Sequence, residues 1–160
     1  MSSGDERPWN DPAIVQHSQR LMQSFQHWTG RVLLEPIATS SPQELAQALF
    51  QAAFVVVSHG TEADPIFNYG NRQALALWEL DWQAFTQMPS RRSAEPMERE
   101  ARAKLLAEAK QKGYISDYRG VRTSSTGQRF WIENVILWDV LDEQQQPCGQ
   151  AATFDQWRFI

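Results

Sequence analysis

The apolar positions of this chain recur at helical spacing, then crowd together, return to helical spacing, and finally alternate with polar ones to the end. Ile14, Leu21, Phe25 and Trp28 fall on one helical stripe and predict a helix from about Pro12 to Trp28. Asp11 is placed to cap it, Pro12 sits in its first turn, and Gly30 supplies the stop. Ser41-Pro42-Gln43-Glu44 has the form of a capping box, so a second helix is expected to about Gln51, burying Leu45, Leu49 and Phe50. Residues 1–10 are polar and predict a flexible N-terminus.

Ala53–His59 changes to β-branched and aromatic residues and predicts a buried strand. Gly60 to Pro65 turns the chain into a short strand over Ile66–Tyr69. Asn71 then caps a helix carrying Ala74, Leu75, Leu77 and Trp78, and Asp81 opens a further helical turn that ends near Met88-Pro89. From Pro96 to Lys112, Met97, Ala101, Leu105 and Ala109 recur every four residues, with Gly113 at the C-terminal cap. The charges between them, Glu98 and Arg102 included, are expected on the solvent face. Tyr114–Thr123, a turn at Ser124–Gly127 and Arg129–Leu141 read as a hairpin, followed by a polar loop over 142–149 and a last strand over 150–157. Strict alternation would put Phe130, Ile132, Asn134, Ile136 and Trp138 on one face of the long strand.

Strands split by a helical block predict an α+β fold: a five-stranded antiparallel sheet with helices on one face, plus an N-terminal helical extension. The expected division is 1–10 flexible, 11–52 helical, and 53–160 the core.

Composition narrows the function classes. The chain has 160 residues, 42% of them hydrophobic and 11% aromatic, which suits one domain with a filled core. A net charge of −4 supplies no general attraction to nucleic acid or to an anionic membrane, so neither is expected as a partner. The lone cysteine, Cys148, excludes an internal disulfide and a thiolate zinc site. Apolar runs such as Ala53–Val57 are too short to span a bilayer, and the N-terminus lacks a signal-peptide core; the expected compartment is cytoplasmic.

His59, Glu62 and Asp64 form the most chemical-looking cluster. They could ligate a metal or exchange protons, but at a strand end such residues commonly bond to the local backbone, which is the expected role. Asn68, Asn71, Arg72, Glu133 and Gln150 could form a buried structural network or orient a ligand. Pro89-Ser90-Arg91-Arg92 reads as a solvated loop. There is no Gly-rich phosphate loop, nucleophile elbow or H-E-x-x-H helix, and an enzyme is not expected.

Several runs resemble a known family. Two strands, a helical crossing and a three-stranded meander follow the order of a PAS domain, and Tyr69-Gly-Asn71-Arg72 resembles the PAS motif in which an asparagine opens the first crossing helix. Val55-Val-Val-Ser-His-Gly-Thr-Glu62, Asp64-Pro-Ile-Phe-Asn-Tyr-Gly-Asn-Arg72, Ala74-Leu-Ala-Leu-Trp-Glu79, Met88-Pro-Ser-Arg91, Arg129-Phe130, Ile132-Glu133 and Gly149-Gln-Ala-Ala-Thr-Phe154 are similar to the MEKHLA domain, a PAS-like family. That family occurs at the C-terminus of plant class III homeodomain-leucine zipper proteins and as small bacterial proteins, and this chain resembles the small stand-alone form. No homeodomain, zipper or basic region accompanies the motifs here.

The resemblance implies a sensory or ligand-binding module acting through protein contacts, with a small molecule, a protein partner or a second copy as candidates. A ligand would lie between the sheet and the helices at 71–88, bordered by Phe67, Trp78, Trp82, Phe130 and Phe154 and oriented by Asn71, Arg72 or Glu133. The alternative is an interaction or dimerisation domain with a filled core; a small enzyme using His59, Glu62 and Asp64 comes last. The motifs name no cofactor. Flavin-binding photoreceptor relatives need a cysteine in the crossing helices, and 71–88 has none; haem-binding relatives use a histidine on the long helix, and 96–112 has none.

Overall fold

The structure, a computed structural model, describes residues 7–35 and 40–160. The predicted flexible N-terminus lies mostly outside these residues. Its described end, Pro8–Asn10, forms a short 3-10 turn whose Trp9 packs on Phe50 with ring centroids 5.2 Å apart.

Helix α1 spans Pro12–Thr29, capped by the Asp11 side chain, which accepts from the Ala13 N–H at 2.9 Å, and ended by Gly30 in the left-handed region. Helix α2, Pro42–Phe50, carries both bonds of its capping box. Then come β1 (Val55–His59), β2 (Phe67–Gly70), α3 (Arg72–Trp78), α4 (Trp82–Phe85), a 3-10 turn at Ser90–Ser93 and α5 (Pro96–Lys112). The remainder is β3 (Tyr114–Thr123), β4 (Arg129–Leu141), β5 (Pro147–Phe154) and β6 (Gln156–Phe159).

All pairings are antiparallel, in the order β2-β1-β5-β4-β3, with β6 beside β4. The final segment therefore forms two strands. β5 begins at Pro147, because the expected 142–149 loop is a tight hairpin. The Asp142 carboxylate accepts from the Gln144 and Gln146 N–H groups at 2.9 and 3.0 Å and closes the turn. After Asp155 the chain continues as β6 along Phe130–Glu133 of β4.

Both faces of the sheet are covered. Val55, Val57, Phe67, Phe130, Ile132, Val135 and Phe154 form one core with α3 and α4, on what we term the inner face. Val56, Tyr69, Trp138, Val140 and Ala151 form the other with Leu21 and Phe25 of α1. The helical extension thus packs on the sheet. Trp28 donates its indole N–H to the Asp139 carbonyl at 2.9 Å, and the Leu141 N–H donates to the Ser24 hydroxyl at 2.8 Å. Gly113, at φ 91°, leaves room for the Trp28 ring, which a Cβ there would meet at 2.3 Å.

The expected single face of β4 does not hold. Asn134 adopts φ 53°, a conformation asparagine tolerates better than most residues, and the alternation flips across it. Phe130 and Ile132 share the inner face with Val135, whereas Ile136 and Trp138 point to the α1 side. Trp138 is fully buried there, edge-on to Phe25 at 5.0 Å. Helix α5 also presents another face than its sequence stripe predicts: Met97 is 73% exposed, and Ala109 is the only residue of this helix that is buried.

Candidate functional site

Between the inner face of the sheet and α5 lies a cavity of about 40 Å³. β1 brings Val57 and His59 to it, β5 brings Gln150, Ala152 and Phe154, and β4 brings Ile132 and Leu137. Phe67, Trp78, Arg102, Leu106, Tyr118 and Arg122 complete much of the wall.

The eight residues expected to hold a ligand separate into three groups. Phe67, Trp78 and Phe154 line this cavity. Phe130 lies just behind it, packed edge-on to Trp78 at 5.3 Å. The other four are elsewhere. Asn71 is fully buried, but its amide is consumed by the fold: Oδ1 accepts from the Val56 and Ala74 N–H groups at 3.1 and 3.2 Å, and Nδ2 donates to the Phe54 and Leu49 carbonyls at 2.8 and 3.2 Å. Arg72 faces a separate outer groove between α2 and α3 and donates to the Gln51 carbonyl at 3.3 Å. Trp82 packs against Phe50 and Tyr69, towards the α1 side. Glu133 pairs with Arg158 at the β4–β6 surface, 3.4 Å away, because it alternates with the inward-facing Ile132 and so points off the inner face.

His59, Glu62 and Asp64 do not converge. Glu62 accepts from the Ile66 N–H at 3.1 Å and closes its own turn, and Asp64 pairs with Arg91 on the surface at 3.2 Å. His59 Nδ1 lies 2.9 Å from the Ser90 hydroxyl. Burial and the charge of Arg102 hold the His59 imidazole down to about 4, so it is neutral at pH 7. Among the described residues no group of three or more His, Cys, Asp or Glu side chains is placed to hold a metal ion.

The polar groups that mark the cavity are Gln150, one of the expected network residues, and Arg102 and Arg122, which were not expected at a site. Arg102 was expected on the solvent face of α5 but turns inward with Leu106. Burial, and then the like charge of Arg122, lower its guanidinium to about 10. Arg122 itself is 5% exposed; it donates to the Val121 carbonyl at 2.8 Å and to the Tyr118 hydroxyl at 3.0 Å. Gln150 donates to the Leu106 carbonyl at 2.8 Å and ties α5 to the sheet. The signal was available in part: Tyr118, Gly120 and Arg122 fall on one strand face at pleat spacing. A Cβ at Gly120 would meet an Arg122 nitrogen at 2.9 Å, so that glycine makes room for the guanidinium.

A five-stranded antiparallel path crossed by α3, α4 and α5, with a cavity on the helical side, defines a PAS-type fold. Solved structures agree. A PAS domain from Colwellia psychrerythraea superposes with a TM-score of 0.61 at 16% identity, covering 72% of this chain and 92% of that one. An RNA-binding Light-Oxygen-Voltage receptor gives 0.58 at 17% identity over 78% of this chain and 36% of that one. The LOV domain of the blue-light photoreceptor Aureochrome1 gives 0.53 at 18% identity over 78% and 86%. Within that class the sequence is more specific: the MEKHLA domain model matches residues 15–159, and the chain belongs to the MEKHLA family. Similar curated proteins include the homeobox-leucine zipper proteins HOX32 of Oryza sativa subsp. japonica, 25% identical over 97% of this chain, and ATHB-9 of Arabidopsis thaliana, 26% identical over 68% of it. The matches span 18% and 13% of those proteins' lengths. No helix among the described residues is long and apolar enough to cross a membrane.

Proposed function

We propose that this domain is a sensor module in which a small ligand on the inner sheet face changes the seating of α5, and that the change passes to a protein partner or a second copy. One observation carries the reading: the cavity is walled on one side by a helix that buries only Ala109, yet aims Arg102 and Leu106 into it. An element with so few buried apolar contacts opens at low cost, and ligand contacts made in only one of its positions shift that equilibrium. Membership of a PAS-like family supports the same reading.

A second reading has its own support. Sites for drug-sized ligands occupy roughly 300–1,000 Å³, and the cavity here is about 40 Å³. A filled-core interaction domain needs no more space than that. Native mass spectrometry of the purified chain beside a denatured control, with hydrogen exchange on both, separates the two. The sensor reading expects a non-covalent added mass, or a small molecule from a screen that slows exchange in α5. No added mass, with α5 exchange unmoved across the screen, would establish the interaction domain instead.

A further inference from the structure

We infer that the inner cavity takes the carboxylate of a small organic acid, held between Arg102 and Arg122. The inference rests on the cavity being the ligand site and adds the chemical class of what enters it.

The cavity wall carries two guanidinium groups and no carboxylate. Neither arginine forms an ion pair with any described residue. Some other arginines of this chain do: Arg20 meets Glu143 at 2.8 Å, and Arg129 meets Glu95 at 2.6 Å. Arg102 and Arg122 are instead close enough for one charge to oppose the other. Arg122 is buried and Arg102 partly so, and two such like charges without a counter-ion are unfavourable, which the opposite charge of a ligand would relieve.

The donor inventory points the same way. Arg122 uses one N–H on the Val121 carbonyl and one on the Tyr118 oxygen, which leaves three. The Tyr118 oxygen accepts from Arg122, so its own proton remains to be donated. Trp78, also in the wall, has a buried indole N–H with no acceptor among the described residues. Planar guanidinium forks and single N–H and O–H donors are the complement of a carboxylate. Ile132, Leu137 and Phe154 add an apolar stretch of wall that suits a short hydrocarbon tail, beside the polar His59 and Gln150. A volume of about 40 Å³ admits a molecule of only a few heavy atoms while α5 stays seated.

The test titrates the full chain with sodium acetate, propionate and phosphate, at ionic strength held constant with chloride. Melting temperature and amide chemical shifts are followed in the wild type, Arg102→Gln, Arg122→Gln and Arg122→Lys; Arg91→Gln, at a surface ion pair, is the control. The expected result is a saturable rise in melting temperature with acetate or propionate, with shifts at Tyr118, Arg122 and Trp78. Affinity should fall at least tenfold in both glutamine variants, less in Arg122→Lys, and stay unchanged in Arg91→Gln. Without organic anion, Arg102→Gln should melt no lower than the wild type, because it relieves the repulsion. An equal rise in all five proteins is a solvent effect and overturns the inference, as does an arginine-dependent response to phosphate alone. If a neutral compound shifts the cavity residues and no carboxylate does, the chemical class is wrong and the site stands. If no compound shifts them, the site itself is wrong.

Discussion

Replacing Asn71 tests whether its amide belongs to the fold or to a ligand. In Asn71→Ala the α3 cap is lost, worth about 1 kcal/mol. The Val56 N–H and the Phe54 carbonyl also lose the Asn71 side chain as a partner. A buried group left unsatisfied costs about 1–3 kcal/mol. The sum is roughly 3–7 kcal/mol, a large part of the 5–15 kcal/mol typical of a domain. Urea denaturation, with the slope checked for two-state behaviour, reads it. Asn71→Asp sharpens the test. Aspartate keeps both acceptor bonds but turns a carboxylate towards the Phe54 and Leu49 carbonyls in a fully buried place. Its folded-state acidity would be weakened and its pKa raised above the unfolded value. The folded form then binds more protons than the unfolded form, so its deficit against the wild type should shrink from pH 7.5 to pH 5. A loss below about 1 kcal/mol in Asn71→Ala would refute this reasoning and return the amide to the candidate ligand groups.

Three further outcomes follow from the same geometry. Trp138→Ala should cost about 3–5 kcal/mol by chemical denaturation, as for other buried large aromatics; a loss under roughly 1 kcal/mol would place the ring at the surface. Asn134→Gly should be tolerated and Asn134→Val should destabilise by roughly 1–3 kcal/mol, because a β-branched residue is strained at positive φ; equal stability of the two would remove the flip in β4. Acid should weaken the fold early. Burial and Arg20 hold His17 down to about 4, and burial and Arg102 do the same to His59. Unfolded histidines near 6.5 bind protons that the folded ones do not, so stability is full above that pH and falls towards 4. By pH 5 each histidine should have removed about 1–2 kcal/mol. Asp139, raised by burial, acts in the opposite sense closer to its own range. A flat profile from pH 7 to 5, or a slope unchanged in His17→Gln, would show that these rings are solvated.

Local chemistry was enough to place most elements. The Asp11 cap, the Ser41–Glu44 box, the Asn71 cap and the Gly113 stop act within a few residues, so α1, α2, α3 and α5 lie at or within a residue of where the sequence put them. The family, too, was legible in short runs from Val55 to Phe154. What depends on distant partners was not. The face of β4 changes at Asn134, where β4 passes from pairing with β6 to pairing with β5, and no alternation within the strand records that. Asn71 looked available because its partners, Leu49, Phe54 and Val56, come from another part of the chain. Arg102 looked solvated because charged helix residues usually are, and only the packing of α5 over β3 and β4 turns it into the cavity that Arg122 also lines. Backbone preferences are set by neighbours in sequence, whereas a charge acquires its meaning from whatever the fold brings within a few ångströms of it.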